Sequence, residues 1–232
     1  MSRYLLKLSG EALAGDKKTG LDEATTLMGA RQVKQLVDKG EQIAIVIGGG
    51  NFWRGRTSQN MDRTKADQIG MLATIMNCIY VSEMFRSVGM KTQVFTPFEV
   101  GTFTQPFSKD AALECLEAGK VIFFAGGTGH PYFSTDTTTI LRAVEVEVDE
   151  ILLAKNIDGV YDSDPMVNPN AKKFDSLSIN EVVEKQLRVI DLTASIMCME
   201  NKMPMRIFGL KGEDSIVNAL YGTFTGTMIT AE

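Results

Sequence analysis

Residues 43–51 read Ile43-Ala44-Ile45-Val46-Ile47-Gly48-Gly49-Gly50-Asn51, and this stretch decides the fold. Five consecutive apolar residues, four of them β-branched, predict a strand buried on both faces, because a half-buried strand would alternate with polar residues. The run stops abruptly at three glycines. Strands of this kind belong to parallel sheets with helices above and below.

Outward from this strand the same rhythm repeats. Residues 4–8 form a short apolar run ending in Lys7-Leu8-Ser9-Gly10, and residues 92–95, 121–125, 150–154 and 205–208 read as further strands. Between them lie helical segments. Asp22 is placed to cap a helix that runs to Lys39 and stops at Gly40. Residues 62–87 form a long helix with Ile69, Leu72, Met76 and Ile79 as its apolar stripe, closed by Gly89. Another helix begins near Asp136, where Thr135 or Asp136 could cap, and a short one spans residues 214–221. Strands separated by helices imply βαβ crossovers. The expected fold is therefore α/β, a three-layer αβα sandwich around a mainly parallel sheet, with residues 1–232 as a single domain lacking linkers and repeats.

Composition narrows the function. The chain carries a formal net charge of −5, so no global field draws in nucleic acid. No stretch has the roughly 18 uninterrupted apolar residues of a membrane span, and the amino-terminal apolar run is too short for a signal peptide. Cys78, Cys115 and Cys198 form no CxxC pair and sit in apolar helical patterns, which points to free thiols in a reducing, cytoplasmic compartment. With His130 the one histidine, neither a histidine-rich metal site nor a Ser–His–Asp triad can be built without it.

In an open α/β sheet, ligands bind beyond the carboxyl ends of the strands, and two glycine clusters fall there. In Gly48-Gly49-Gly50 the missing Cβ atoms let backbone N–H groups approach one anion, and Arg54 and Arg56 follow with charge-assisted donors. Taken alone, the segment also fits an ordinary glycine turn beside solvated arginines. The second loop, Gly126-Gly127-Thr128-Gly129-His130-Pro131-Tyr132-Phe133-Ser134-Thr135-Asp136, adds hydroxyls, two aromatic rings and a helix start, a natural phosphate seat. It also fits a plain capped loop. Neither is a P-loop, since no G-x-x-x-x-G-K-[ST] occurs. A G-x-G-x-x-G fingerprint fails at Trp53 in one loop and at Tyr132 in the other, and the protein-kinase H-R-D and D-F-G motifs are missing. Lys7 and Gly10 end the first strand at the same sheet edge. Phosphoryl transfer asks little more of a protein than cations around the moving group and an acceptor held in line.

Six segments in order resemble the bacterial UMP kinases of the amino-acid-kinase superfamily: Lys7-Leu8-Ser9-Gly10-Glu11-Ala12-Leu13, Gly48-Gly49-Gly50-Asn51 with Arg54-Gly55, Met61-Asp62-Arg63 with Ala66-Asp67, Gly70-Met71-Leu72, the 128–136 loop, and Lys155-Asn156-Ile157-Asp158-Gly159-Val160-Tyr161 with Asp164-Pro165. The resemblance covers nearly the whole chain and implies the amino-acid-kinase fold and transfer of the γ-phosphoryl group of ATP to UMP. The UMP-binding part would lie mainly in the first half and the ATP-binding part in the second. It implies that Lys7, Leu8, Ser9 and Gly10 hold ATP phosphates, with Gly50 and Arg54 between the nucleotides and Asn156, Tyr161 and Asp164 lining the adenosine pocket. Gly49, Asp67, Thr128, Gly129, His130, Pro131, Tyr132, Phe133, Ser134 and Thr135 would bind UMP, with Asp67 accepting from the ribose. Lys7 would stabilise the transferring group, and Asp136 and Asp191 resemble the carboxylates that orient the cations. Mg²⁺ would arrive on ATP, with no metal cage in the protein itself. GTP and UTP would act as effectors, GTP at the glycine-flanked, mobile segment 15–20. A homohexamer would assemble through surfaces such as those carrying Met71, Met76 and Met84, residues that core filling also explains. The chain departs from the family pattern at His130, where asparagine is expected. On their own, Asp67 also reads as a solvated helix charge and Tyr161 as core, and a nucleotide sensor on the same fold is the alternative of a different class.

Overall fold

A computed structural model describes residues 1–55, 60–187, 189–210, 212 and 214–231. Its strands are β1 (Arg3–Leu8), β2 (Gln42–Ile47), β3 (Thr92–Thr96), β4 (Gln105–Pro106), β5 (Val121–Phe124), β6 (Glu150–Lys155), β7 (Ser176–Ser178), β8 (Met205–Gly209) and β9 (Thr227–Thr230). They form one sheet in the order β4-β3-β5-β2-β1-β6-β8-β9-β7. The central pairings are parallel, and β8 with β9 is antiparallel. The helices are α1 (Gly10–Leu13), α2 (Glu23–Asp38), α3 (Arg63–Ser87), α4 (Lys109–Glu117), α5 (Thr135–Glu145), α6 (Ile179–Glu184), α7 (Leu192–Glu200) and α8 (Ser215–Tyr221).

The double burial expected of the central strands is visible residue by residue. Leu5, Val46, Ile122 and Ile151 pack to one side with Leu116 of α4, Ile140 of α5, Val182 of α6 and Ala194 of α7. Their neighbours Leu6, Ile45, Phe123 and Leu152 pack to the other with Val33 of α2, Phe85 of α3 and Ile216 of α8. Each fully buried aliphatic or aromatic side chain contributes about 1.5–3 kcal/mol, so both faces of the sheet hold the layers together. Cys78 and Cys198 belong to these clusters, and burial pushes both thiols up to about 12.

Two expectations need correction. Leu72, Met76 and Ile79 are exposed, at 54%, 52% and 39%, and Ile69 is only partly buried. The buried face of α3 instead carries Ala66, Ala73, Thr74, Asn77, Cys78 and Ser82 together with Ile75, Val81 and Phe85. Small residues are needed there because the first glycine loop lies against the helix: a Cβ on Gly49 would come within 3.1 Å of both the Ala73 Cβ and the Gly70 carbonyl oxygen. The second correction concerns α5. Its N-cap is Ser134, rather than Thr135 or Asp136, and the Ser134 hydroxyl accepts from the N–H groups of Asp136 and Thr137.

Candidate active site

Because β1, β2, β5 and β6 run parallel, the loops after them leave the same edge of the sheet. The first two interlock. A Cβ on Gly10 would sit 2.5 Å from Asn51 Oδ1 and closer still to the Gly48 carbonyl oxygen, so only glycine lets the β1–α1 turn reach the triple-glycine loop. Leu8 turns its side chain into the core, and its carbonyl accepts from the Gly48 N–H at 3.1 Å. Ser9 stands before α1, and its N–H donates to the Ala154 carbonyl. Gly50 packs over Glu11, which pairs with Arg54. Arg56 lies outside the described residues.

Lys7, at the end of β1, meets Asp136, in the first turn of α5, at 2.8 Å, with side-chain exposures of 11% and 19%. Beside them stands a residue that sequence reasoning quoted without a role. Lys155 ends β6, and its ammonium donates to the Val189 carbonyl. Burial lowers its pKa, the Asp136 carboxylate opposes that shift and Lys7 adds to it. Two lysines and one carboxylate thus share a half-buried spot, an arrangement that can stabilise developing negative charge. The signal for Lys155 was its place one residue past an apolar strand, at the edge where Lys7 already stood.

Asp191 is the N-cap of α7, accepting from the Ala194 N–H at 3.0 Å, and it also accepts from the hydroxyls of Ser134 and Thr137. It therefore lies against Ser134, the N-cap of α5 two residues before Asp136, and joins the N-termini of two helices at the site. Both helix dipoles favour an anion there.

A cleft opens between the glycine loops and α3. It is lined by Gly49, Gly50, Asp67, Thr128, His130, Phe133, Ser134 and Thr135 from the sequence expectation, joined by Trp53 and Thr74, which that reading did not assign. Asp67 accepts from the Tyr132 backbone N–H at 2.8 Å and from Arg63 Nε at 2.9 Å. It is thus no solvated helix charge. Its two oxygens offer about four acceptor positions, which leaves room for ribose hydroxyls. Tyr132 has φ 72°, an uncommon conformation for a non-glycine residue, and Arg63 lies over its ring. Gly129, with φ 84°, approaches Pro97 so closely that a Cβ would be 2.9 Å from it. Gly129, Pro131 and Tyr132 shape the loop but do not line the cleft, whereas His130 lies at its exposed rim.

Two further clefts continue this one. Ser134 is shared with a second, lined by Asp136, Lys155 and Asp191, and Lys155 is shared with a third, lined by Tyr161 and Asp164. Tyr161 donates its hydroxyl to Asp158 at 2.8 Å. Asp164 is exposed and accepts from the Met166 N–H, and Asn156 is exposed just past β6. Within the segment expected to be mobile, Gly15–Lys17 form a 3-10 turn and Asn51 Nδ2 donates to the Gly20 carbonyl at 2.7 Å. No helix among the described residues is long and apolar enough to cross a membrane.

Comparison with known proteins agrees with this geometry. The amino acid kinase family model matches residues 2–209. The structure superimposes on that of a UMP kinase from Bacillus anthracis with TM-score 0.95, at 32% identity, covering 100% of this chain and 96% of the other. On a UMP kinase from Ureaplasma parvum the TM-score is 0.94, at 33% identity, covering 99% and 98%. With a mainly parallel sheet, glycine loops at its carboxyl edge and the family model matched over residues 2–209, the chain belongs to the amino acid kinase family.

Proposed function

We propose that this protein is a UMP kinase, transferring the γ-phosphoryl group of ATP to UMP to give UDP in pyrimidine nucleotide biosynthesis. The observation that carries the reading is the trough of three linked clefts, with Asp136 and Lys155 lining its middle and Lys7 paired with Asp136. A trough cationic at its centre, with a ribose acceptor at one end and Tyr161 at the other, suits two nucleotides lying phosphate to phosphate. The full-length likeness to two UMP kinases supports the choice of acceptor.

UMP enters the cleft under α3, its ribose hydroxyls donating to Asp67 and its phosphate facing the N–H groups at Gly49 and the start of α5. ATP lies along the second and third clefts. Lys7 and Lys155 point their ammonium groups at the γ-phosphoryl, where negative charge spreads as the bond to the leaving oxygen breaks. Asp136 holds Lys7 in place at 2.8 Å. Asp136 and Asp191 line the second cleft, where they would stand alongside a divalent cation ligated largely by the ATP phosphates. Such a cation would supply positive charge to the phosphates of ATP as the γ-phosphoryl group leaves.

The whole chain works as one domain, UMP held mainly by first-half residues together with the 128–135 loop and ATP mainly by the second half, in the cytoplasm where three free cysteines stay reduced. It assembles as a homohexamer, for which the outward Leu72, Met76 and Ile79 of α3 offer an apolar contact face. GTP and UTP are its effectors. ADP release measured in a coupled assay tests the transfer: it should depend on UMP, and release that ignores UMP would refute the reading.

A further inference from the structure

Thr74 and Asn77 are polar, lie on the core-facing side of α3, and are 4% and 0% exposed. Burying an amide or a hydroxyl in that position is costly unless every donor finds a partner. Here the partners are the two glycine loops. Asn77 Nδ2 donates to the Gly48 carbonyl at 2.8 Å and to Asn51 Oδ1 at 2.8 Å, and Asn51 Nδ2 returns a bond to Asn77 Oδ1 at 3.0 Å. Both N–H groups of both amides are thereby used, since Asn51 gives its other one to the Gly20 carbonyl. One turn earlier, Thr74 donates to the Met71 carbonyl at 2.7 Å and accepts from the Gly126 N–H at 2.9 Å.

The consequence is directional. In a trans peptide the carbonyl and the following N–H point opposite ways. Pinning the Gly48 carbonyl toward Asn77 therefore aims the Gly49 N–H away from α3, and Gly49 lines the nucleotide cleft. Holding the Gly126 N–H on Thr74 removes it from service as an anion donor and fixes where the turn at Gly127 begins, a residue that also lines the cleft. The two bonds come from side chains three residues apart on one rigid helix, so they set the spacing of the two loops as well as their orientation.

We propose that Thr74 and Asn77 are positioning residues that hold the two glycine loops at the separation and orientation the UMP phosphate requires. This rests on the UMP kinase reading and assigns to α3 a part in acceptor binding that no reacting group supplies.

The test separates positioning from stability. Each variant leaves a backbone partner without its side-chain bond, the Gly126 N–H or the Gly48 and Gly20 carbonyls, so stability is measured separately from kinetics. Asn51→Leu/Asn77→Leu and Thr74→Val, each checked by thermal unfolding, are assayed with UMP and ATP varied independently. A loop displaced by about 1 Å costs on the order of 10²-fold in rate, so kcat/KM for UMP should fall by that order, chiefly through UMP KM. The ATP KM should stay near the wild-type value, and Thr74→Ser should restore UMP KM because it restores the hydroxyl. A folded variant with wild-type UMP KM overturns the proposal, as does a Thr74→Ser that fails to rescue. Should the double variant not fold, the Thr74 pair decides. Wild-type protein that turns over no UMP instead overturns the functional reading, and this inference with it.

Discussion

Gly10→Ala is the sharpest mechanical test of the site, because the structure gives it a cost opposite in sign to that of an ordinary helix glycine. Gly10 is the first residue of α1, so alanine would be preferred there on propensity alone by roughly 1 kcal/mol. Against this, the new methyl would lie 2.5 Å from Asn51 Oδ1 and nearer still to the Gly48 carbonyl, where real Cβ atoms keep beyond 3.0 Å. Neither neighbour can swing aside. The Gly48 carbonyl is held by Asn77, and the Asn51 amide is bonded on both sides. The β1–α1 turn must therefore retreat by at least about 0.5 Å, and overpacking of this kind costs about 1–3 kcal/mol. The same retreat drags the turn carrying Ser9 off the glycine loop, with a loss in kcat of the order of 10²-fold. Gly29→Ala is the internal control: within α2 its Cβ meets nothing within 4 Å, so that variant should gain roughly 0.5–1 kcal/mol and keep full activity. Thermal unfolding and steady-state kinetics of the pair read both effects. If Gly10→Ala unfolds and turns over like wild type, the interlocking of the two loops is not what the geometry implies.

Lys7→Ala should lower kcat by about 10²–10³-fold while UMP binding changes little, since a donor aimed at developing charge is lost; an unchanged kcat in a folded variant removes Lys7 from the chemistry. Asp67→Asn should weaken UMP by roughly 1–3 kcal/mol, spare ATP and shrink the preference for UMP over dUMP, and calorimetry with each nucleotide would expose a failure. The pKa of Lys155 lies below that of an ordinary lysine, chiefly through burial. Its charged form serves the phosphate, so kcat/KM should fall as pH rises through that lowered pKa, and Lys155→Arg should move the alkaline limb upward; identical limbs would exclude Lys155. Light scattering should report an assembly well above 25.5 kDa at micromolar concentration, and Met76→Glu should shift it toward the monomer, whereas a wild-type monomer would contradict the oligomer.

The parallel core was legible because β2, β5 and β6 read as apolar runs buried on both faces, and these strands, with β1, β3 and β8, were each located to within a residue or two. The edge strands β4 and β7, of two and three residues, and β9 carry too short a pattern to register. Helix α3 was misread for a physical reason. Hydrophobic periodicity finds the apolar stripe, but this helix turns its inner face to two glycine loops, which demand small side chains and hydrogen-bonding groups. Thr74 and Asn77 therefore look like solvent-facing residues in the sequence, while Leu72 and Met76 look like core. The glycine loops and Lys7 were legible from their place at strand ends, whereas the role of Asp136 came only through the family resemblance. Lys155 carried the same strand-end signal as Lys7 but was read only as part of a family motif, and its burial beside Asp136 and Lys7 emerges only in the fold.

The central claim is that the trough passes a phosphoryl group between two nucleotides. Incubation with ATP labelled on the γ-phosphate, against UMP, CMP, dUMP, AMP, acetylglutamate and carbamate in parallel, tests it most directly. Label should appear in UDP first and fastest. Label in acetylglutamate or carbamate products with none in UDP would contradict the account.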